Sequence, residues 1–418
     1  MINLNPIYLT SFLFFCFIHP IIGWIPGADE YFSFLLPIFP FITGISILFI
    51  VLSGYNLRSS IDRGLIKGKL KMTVQVWSLI RLFIFFMLLD AFKQALVVRA
   101  SYFYQWSVIQ TILTSLIIIL FLSSISVRLV WAATILCYLS ANHIQQFLAN
   151  AWRLEVVSQR LLNDFQLYSC VLSLIIFFYF SLKIFKSKLL VKNKILISSL
   201  AFATLLFIIA ALFSYADLNQ EDILIVQNFW LGALIPDPTS HHGYPLTVWF
   251  PIVASGFLLG DVLLSAKNFR FIVKIFGLLG FVGLIYLSSE FLLQIQSTNY
   301  TLMTYTRRIL AYDLWGNLLF YMLSLFSFCL FLSTRVKAQP NLINKIGSYV
   351  VGGMIYIFIF VTAFGQAICS LIEKLLPMPY SHLIATLVLF AFGIGIGFIV
   401  DKLFKTKYEF ALVKVKKD

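Results

Sequence analysis

The sequence predicts an all-α polytopic membrane protein with about twelve (10–12) transmembrane helices and with the N and C termini cytoplasmic. Of its 418 residues, 61% are hydrophobic and 11% are charged, and its mean hydropathy is +0.94. A soluble globule of this length needs far more polar surface. A membrane-spanning helix needs roughly 20 apolar residues. The sequence offers such runs at residues 5–23, 31–53, 74–96, 106–124, 128–147, 166–184, 196–214, 246–265, 272–291, 312–333, 347–370 and 383–400.

The charge distribution predicts how these helices are oriented. Most of the 31 Lys and Arg residues lie in alternate predicted loops, and such loops stay in the cytoplasm. The net charge of +14 therefore indicates topology, and no nucleic-acid partner is expected. We expect residues 1–400 to form a single transmembrane domain and residues 401–418 to form a basic cytoplasmic tail. The first run lacks a basic flank and a cleavage site, which favours a retained helix over a signal peptide.

Cysteine and histidine placement narrows the possible chemistry. All five cysteines fall within predicted spans at irregular spacing, so neither a disulfide framework nor a metal site is expected. All five histidines fall on the non-cytoplasmic half of the predicted topology. Titrating chemistry is therefore expected on the outer side.

The stretch HPIIGWIPGADEYFSFLLPIFPFITGI, residues 19–45, is the leading candidate for a site. It places His19, Trp24, Asp29 and Glu30 between two apolar runs, where ionisable groups usually mark function. A partly buried imidazole oriented by a carboxylate can take a proton from a hydroxyl or an amine. The alternative is an interfacial histidine that only ends a helix, and the local pattern does not separate the two.

Arg81 lies inside the third predicted span and needs an anion if it is buried. A cofactor phosphate or a carboxylate such as Asp261 would neutralise the guanidinium. The alternative is that Arg81 extends to the cytoplasmic face.

Polar residues near the outer loops are candidates for substrate binding. His241 and His242 precede the span 246–265, and Arg307 and Arg308 form the only adjacent basic pair on the outer side. The arginine pair suits an anionic sugar or phosphate, or else pairs with Asp313 or with lipid headgroups. Gly256 and Gly260, four residues apart, suit close helix packing.

Four stretches together resemble the membrane acyltransferases related to heparan-alpha-glucosaminide N-acetyltransferase and the wider acyltransferase-3 group. They are residues 19–45, WSLIRLFIFFMLLD at 77–90, QWSVIQTILTSLIIILFL at 105–122, and YPLTVWFPIVASGFLLGD at 244–261. The first resembles that family's His, Trp-Gly-like turn and Asp. The others resemble its Arg-bearing third helix, a helix that begins with an Ile/Leu-Gln pair, and a Phe-Pro…Gly…Gly helix.

The resemblance implies transfer of an acyl group, expected to be acetyl, from cytosolic acyl-CoA to an extracytoplasmic glycan or lipid-linked saccharide. His19 would be the base or a transient acyl carrier, and Asp29 or Glu30 would orient it. Acetyl-CoA would be the donor substrate, with no metal. The expected donor contacts are Arg81, Gln110 and Asp261, and the expected acceptor contacts are Trp24, His241, His242, Arg307 and Arg308.

Two other classes stay open at this stage. A transporter or flippase of lipid-linked glycans would also use many spans and charged cavity residues, although no internal two-fold repeat is visible. A glycan polymerase would use large outer loops, which residues 215–245 supply in part. The expected location in each case is a lipid bilayer, specifically the bacterial inner membrane, and self-association into a homo-oligomer is left open.

Overall fold

A computed structural model describes residues 5–35, 38, 42, 44–46, 48–62, 75–83, 86, 108–153, 246–265, 269–296, 315–335 and 341–415. These residues form helices and turns, with no strand among them. Helices long and apolar enough to cross a membrane include Gly44–Asp62, Val108–Ile125, Leu246–Leu263, Phe271–Ser289 and Tyr380–Lys402. The protein is therefore an all-α membrane protein as far as it is described. The number twelve and the side of each terminus stay predictions.

The helices are numbered here in chain order. They are α1 (Asn5–His19), α2 (Ala28–Tyr31), α3 (Phe49–Asp62), α4 (Val108–Ile125), α5 (Val127–Arg153), α6 (Leu246–Ser265), α7 (Phe269–Gln296), α8 (Trp315–Arg335), α9 (Asn341–Leu375) and α10 (Tyr380–Val415). The predicted spans 166–184 and 196–214 lie outside the described residues.

Several helices extend beyond the apolar runs that predict them. The span 246–265 matches α6, whereas α3 continues to Asp62 and α10 continues to Val415. Hydropathy falls at residues 53 and 400, but the residues that follow, 54–62 and 401–415, contain no Pro and a single Gly, Gly54. The α-helical hydrogen bonds therefore continue beyond the end of the apolar run. Most of the predicted basic tail is helical.

The second predicted span, 31–53, is not one continuous α-helix. The short helix α2 ends at Tyr31, and Ser33–Leu35 forms a 3₁₀ turn before α3 begins at Phe49. Gly27, with φ of 72°, precedes α2 in a left-handed conformation that suits glycine.

The chain divides into two compact units. One comprises Met1–Ile66 and Ile252–Asp418, and the other comprises Lys67–Pro251. In the first unit, α1 packs against α9 and α10, α9 packs along α10, and α7 packs along α8. In the second unit, α4 packs against α5.

Aromatic rings fill the core beside α1. Phe15 meets Phe358 edge to face at a centroid distance of 4.5 Å, and Phe358 stacks on Phe49 at 3.8 Å. Phe12 stacks on Phe390 at 5.6 Å. This aromatic cluster joins α1, α3, α9 and α10, and burying such rings is a major source of core stability.

Glycines bring α3 and α6 into backbone contact. A Cβ on Gly54 would overlap the carbonyl oxygen of Val253, and a Cβ on Gly256 would overlap that of Val51. The two contacts are reciprocal, so neither position has room for a side chain. This confirms the close packing predicted from the glycine spacing.

Candidate active site

His19 is the last residue of α1, and the residues after it explain why the helix ends there. Pro20 has no backbone N–H and cannot continue the α-helical ladder. A π-helical turn follows over Pro20–Trp24, in which the N–H of Ile25 donates to the carbonyl of Pro20 at 3.0 Å. This turn returns the chain so that Trp24 lies beside His19. The adjacency of His19 and Trp24 thus follows from a local feature of the sequence.

One imidazole nitrogen of His19 is bound by the helix itself. Nδ1 lies 3.0 Å from the carbonyl oxygen of Phe15. A carbonyl oxygen can only accept, so Nδ1 carries the hydrogen and donates it. In the neutral ring, Nε2 then keeps a lone pair, which is the form that a general base or nucleophile requires.

Aromatic rings surround the His19 imidazole. Its centroid lies 3.8 Å from that of Phe15 and 5.1 Å from that of Trp24. The six-membered ring of Trp24 in turn packs over Gly365 of α9, so closely that a Cβ there would overlap it. His19 remains partly exposed, whereas Phe15 is buried. The ring is therefore restrained in orientation by its neighbours.

Replacing Gly365 with alanine should displace Trp24 from His19. The added methyl group overlaps the indole ring, and we expect overpacking to lower the free energy of unfolding by about 1–3 kcal/mol. The rate at which diethylpyrocarbonate modifies His19, read by peptide mass spectrometry, should rise because one face of the imidazole loses its cover. Gly395→Ala is the matched control, since a Cβ at Gly395 meets no atom within 4 Å. An unchanged rate in Gly365→Ala would mean that Trp24 does not cover the imidazole.

Asp29 and Glu30 lie on α2, close to His19 in sequence. Asp29 is partly exposed and Glu30 is exposed. The carbonyl of Phe15, rather than either carboxylate, is the partner found at Nδ1 of His19. The orientation of the ring at this nitrogen therefore comes from α1, and a catalytic role for the two carboxylates stays a prediction.

Asp261 is the partner of an arginine that the sequence does not single out. Its Oδ1 lies 2.8 Å from Nη2 and 2.9 Å from Nε of Arg58, at the end of α3. The side chains are 15% and 23% exposed for Arg58 and Asp261. Gly260 leaves room for the aliphatic part of Arg58, whose Cβ lies 3.2 Å from where a glycine Cβ would be. Asp261, which the sequence allows as a partner for Arg81, is thus paired with Arg58.

Removing both charges of this pair should cost less than the sum of the losses from Arg58→Gln and Asp261→Asn measured separately. Asp261→Asn leaves the Arg58 guanidinium without its carboxylate, and for a pair of this partial burial we expect a loss of about 1–3 kcal/mol. The double variant Arg58→Gln/Asp261→Asn should lose less than the sum of the two single variants. Thermal unfolding in detergent measures all three. Strict additivity would indicate that the two side chains contribute independently.

The remaining predicted donor contacts lie in the second unit. Arg81, within a helical stretch over residues 75–83, is exposed, so the condition of burial under which it would need an anion is not met. The alternative of an arginine that extends away from the packed helices fits this placement. Gln110 is buried in the first turn of α4, at 1% exposure. A buried amide in a strongly apolar helix is costly unless it has partners.

The predicted acceptor contacts His241, His242, Arg307 and Arg308 lie outside the described residues. Among the residues that the structure does describe, no group of three or more His, Cys, Asp or Glu side chains could hold a metal ion.

Sequence reasoning misses two residues of interest, Arg58 and His382. Their partners, Asp261 and Phe17, are 203 and 365 positions away along the chain. Local spacing carries no signal for contacts of this range. The available hint for His382 is its place among the histidines predicted on the outer side.

No family model, no curated protein and no solved structure matches this chain.

Proposed function

We propose that this protein is an integral membrane acyltransferase, located in the bacterial inner membrane. It would move an acetyl or related acyl group from cytosolic acyl-CoA to an extracytoplasmic saccharide. The observation that carries the proposal is the His19 imidazole at the end of α1. Its Nδ1–H is bound to the Phe15 carbonyl, which leaves the Nε2 lone pair for chemistry.

In the proposed step, Nε2 of His19 both accepts and returns the proton. Nε2 takes the proton from an acceptor hydroxyl or amine while the acceptor oxygen or nitrogen bonds to the thioester carbon. The carbon–sulfur bond then breaks, and the thiolate of CoA leaves. The imidazolium returns its proton to the thiolate, which restores the neutral ring. General base catalysis of this kind typically contributes about 10²–10⁴-fold.

The surroundings of His19 suit a reaction at a membrane boundary. Phe15 and Trp24 cover parts of the imidazole and limit the access of water to it. Excluding water favours transfer to the acceptor over hydrolysis of the thioester. Trp24 would contact the acceptor, which is the role that the sequence predicts for it.

The aromatic cluster restricts the path of the acyl donor. Phe15, Phe49 and Phe358 are each less than 5% exposed and pack together one helical turn before His19. This is the cytoplasmic direction in the predicted topology. An acyl group that arrives from the cytoplasm must therefore pass around this cluster or separate its rings. Arg81 and the basic loops would attract the phosphates of acyl-CoA on that side.

Transfer of label tests the proposal directly. Inverted membrane vesicles from cells with and without the protein are given acetyl-CoA that is radiolabelled in the acetyl group. We expect label in the vesicle glycan only when the protein is present, and a glycan mass increased by one acetyl group. Vesicles that translocate lipid-linked saccharide but never acquire label would instead favour a transporter, and the acyltransferase proposal would be rejected.

A further inference from the structure

His382 lies in the first turn of α10 and is almost completely buried, at 2% exposure. A polar ring buried in an apolar helix bundle is costly unless its nitrogen atoms are bound. The residues around it therefore indicate why a histidine is tolerated there.

The His382 ring is bound to the end of α1. Its Nε2 lies 2.9 Å from the carbonyl oxygen of Phe17, so Nε2 carries the hydrogen and donates it. Phe17 belongs to the last turn of α1, where helix carbonyls generally lack partners from their own ladder. His382 thus supplies a donor from α10 to the turn that ends in His19.

Ring contacts restrain the same group from two further directions. The His382 centroid lies 4.9 Å from that of Phe17, nearly perpendicular to it, and 4.5 Å from that of Phe32. Phe32 directly follows α2, so His382 joins α10 to α1 and to the segment after the π-helical turn. The carbonyl of His382 in turn accepts a hydrogen bond from Thr386 at 2.9 Å.

The two histidines act on one turn of helix. The carbonyls that bind them, those of Phe15 and Phe17, are two residues apart in the last turn of α1. Any rotation or fraying of this turn would move Nε2 of His19. A displacement of about 1 Å at a reacting group can cost 10²-fold in rate.

From these contacts we infer that His382 is a positioning residue for His19. Its hydrogen bond to the Phe17 carbonyl keeps the last turn of α1, and with it the Nε2 lone pair, in the geometry that acyl transfer uses. This inference rests on the proposed function for its catalytic consequence, whereas the coupling between the two histidines can be measured without it.

Two amide variants separate positioning from simple packing. The amide nitrogen of His382→Gln can reach the place of Nε2 and can donate to the Phe17 carbonyl. The shorter His382→Asn places its amide nitrogen near the position of Nδ1 and cannot reach that carbonyl. Both side chains have similar polarity, so a difference between them reports on the hydrogen bond.

We expect His382→Asn to lower kcat by up to about 100-fold with little change in KM, because a displacement of about 1 Å at a reacting group can cost 10²-fold in rate. His382→Gln should recover most of the wild-type kcat. The rate of diethylpyrocarbonate modification at His19 should change in His382→Asn and return towards the wild-type rate in His382→Gln.

The two readouts have different meanings. If both variants lose kcat equally, or if His382→Asn leaves kcat and the modification rate of His19 unchanged, the inference is wrong. If the wild-type protein shows no acyl transfer, the proposed function is wrong. The modification rates of His19 would still decide whether His382 positions His19. If His382→Asn fails to fold, Phe32→Leu is the second variant, because it removes one ring contact of His382 and keeps the hydrogen bond. In Phe32→Leu the modification rate of His19 should stay nearer to that of wild type than to that of denatured protein. A rate as fast as that of denatured protein would then contradict the inference.

Discussion

Replacing His19 with alanine should abolish measurable acyl transfer while leaving the amount of folded protein in the membrane unchanged. The expected loss in kcat is about 10²–10⁴-fold, since the variant lacks the group that takes the proton from the acceptor. The loss should fall mainly on kcat, because Nε2 acts on the transition state more than on substrate binding. Steady-state transfer of labelled acetyl to glycan, normalised to purified protein, measures it.

His19→Asn is the sharper variant for this prediction. Its amide nitrogen can replace Nδ1 as the donor to the Phe15 carbonyl, so the end of α1 keeps its hydrogen bond. It has no equivalent of the Nε2 lone pair. We therefore expect His19→Asn to be as inactive as His19→Ala, with a thermal stability closer to that of wild type.

An exposed histidine provides the control. His143 lies on α5 with its side chain exposed, and His143→Ala should retain wild-type activity. Appreciable transfer by His19→Asn would show that Nε2 is not the base, and the role would have to pass to another group.

Local sequence information predicts the parts of this fold that depend on one segment at a time. The apolar run 246–265 coincides with α6, and the Pro20 that follows His19 accounts for the end of α1. Helix ends such as Asp62 and Val415 are not predicted, because hydropathy reports the bilayer and not the helix. The helical hydrogen bonds continue past the lipid boundary because the residues there also favour helix.

The candidate site shows the same division. Sequence reasoning finds His19 and Trp24, which are five residues apart and become neighbours through a local turn. It assigns the orientation of the imidazole to a carboxylate, whereas the Phe15 carbonyl binds Nδ1. Backbone carbonyls occur at every residue and leave no trace in the residue pattern. His382 and Arg58 are missed because their partners come from distant segments.

Gly256→Ala should destabilise the protein, although a glycine to alanine change inside a helix ordinarily stabilises it by up to about 1 kcal/mol. The new Cβ overlaps the carbonyl oxygen of Val51, and a backbone atom cannot move aside as a flexible side chain can. Helices α3 and α6 must separate, and we expect a net loss of about 1–3 kcal/mol. Thermal unfolding of purified protein in detergent measures this loss.

Gly395→Ala is again the matched control, because the position is helical and has open space where the Cβ would be. It should show the ordinary effect of helix propensity, a stability equal to wild type or slightly higher. A loss in Gly395→Ala as large as that in Gly256→Ala would mean that flexibility, and not the crossing of α3 and α6, explains the cost.

The reciprocal geometry of this crossing makes the double variant the most informative. A Cβ on Gly54 would overlap the carbonyl oxygen of Val253 and a Cβ on Gly256 that of Val51, so one substitution already forces α3 and α6 apart. The second methyl group then enters space that the first has opened. Gly54→Ala/Gly256→Ala should therefore cost clearly less than the sum of the single variants. Because Arg58 and Asp261 lie about one turn further along the same two helices, each single variant should also weaken their ion pair. Asp261→Asn should therefore lower the free energy of unfolding less in the Gly256→Ala background than in wild type. Additive losses would mean that the contact between α3 and α6 at these glycines does not affect the ion pair.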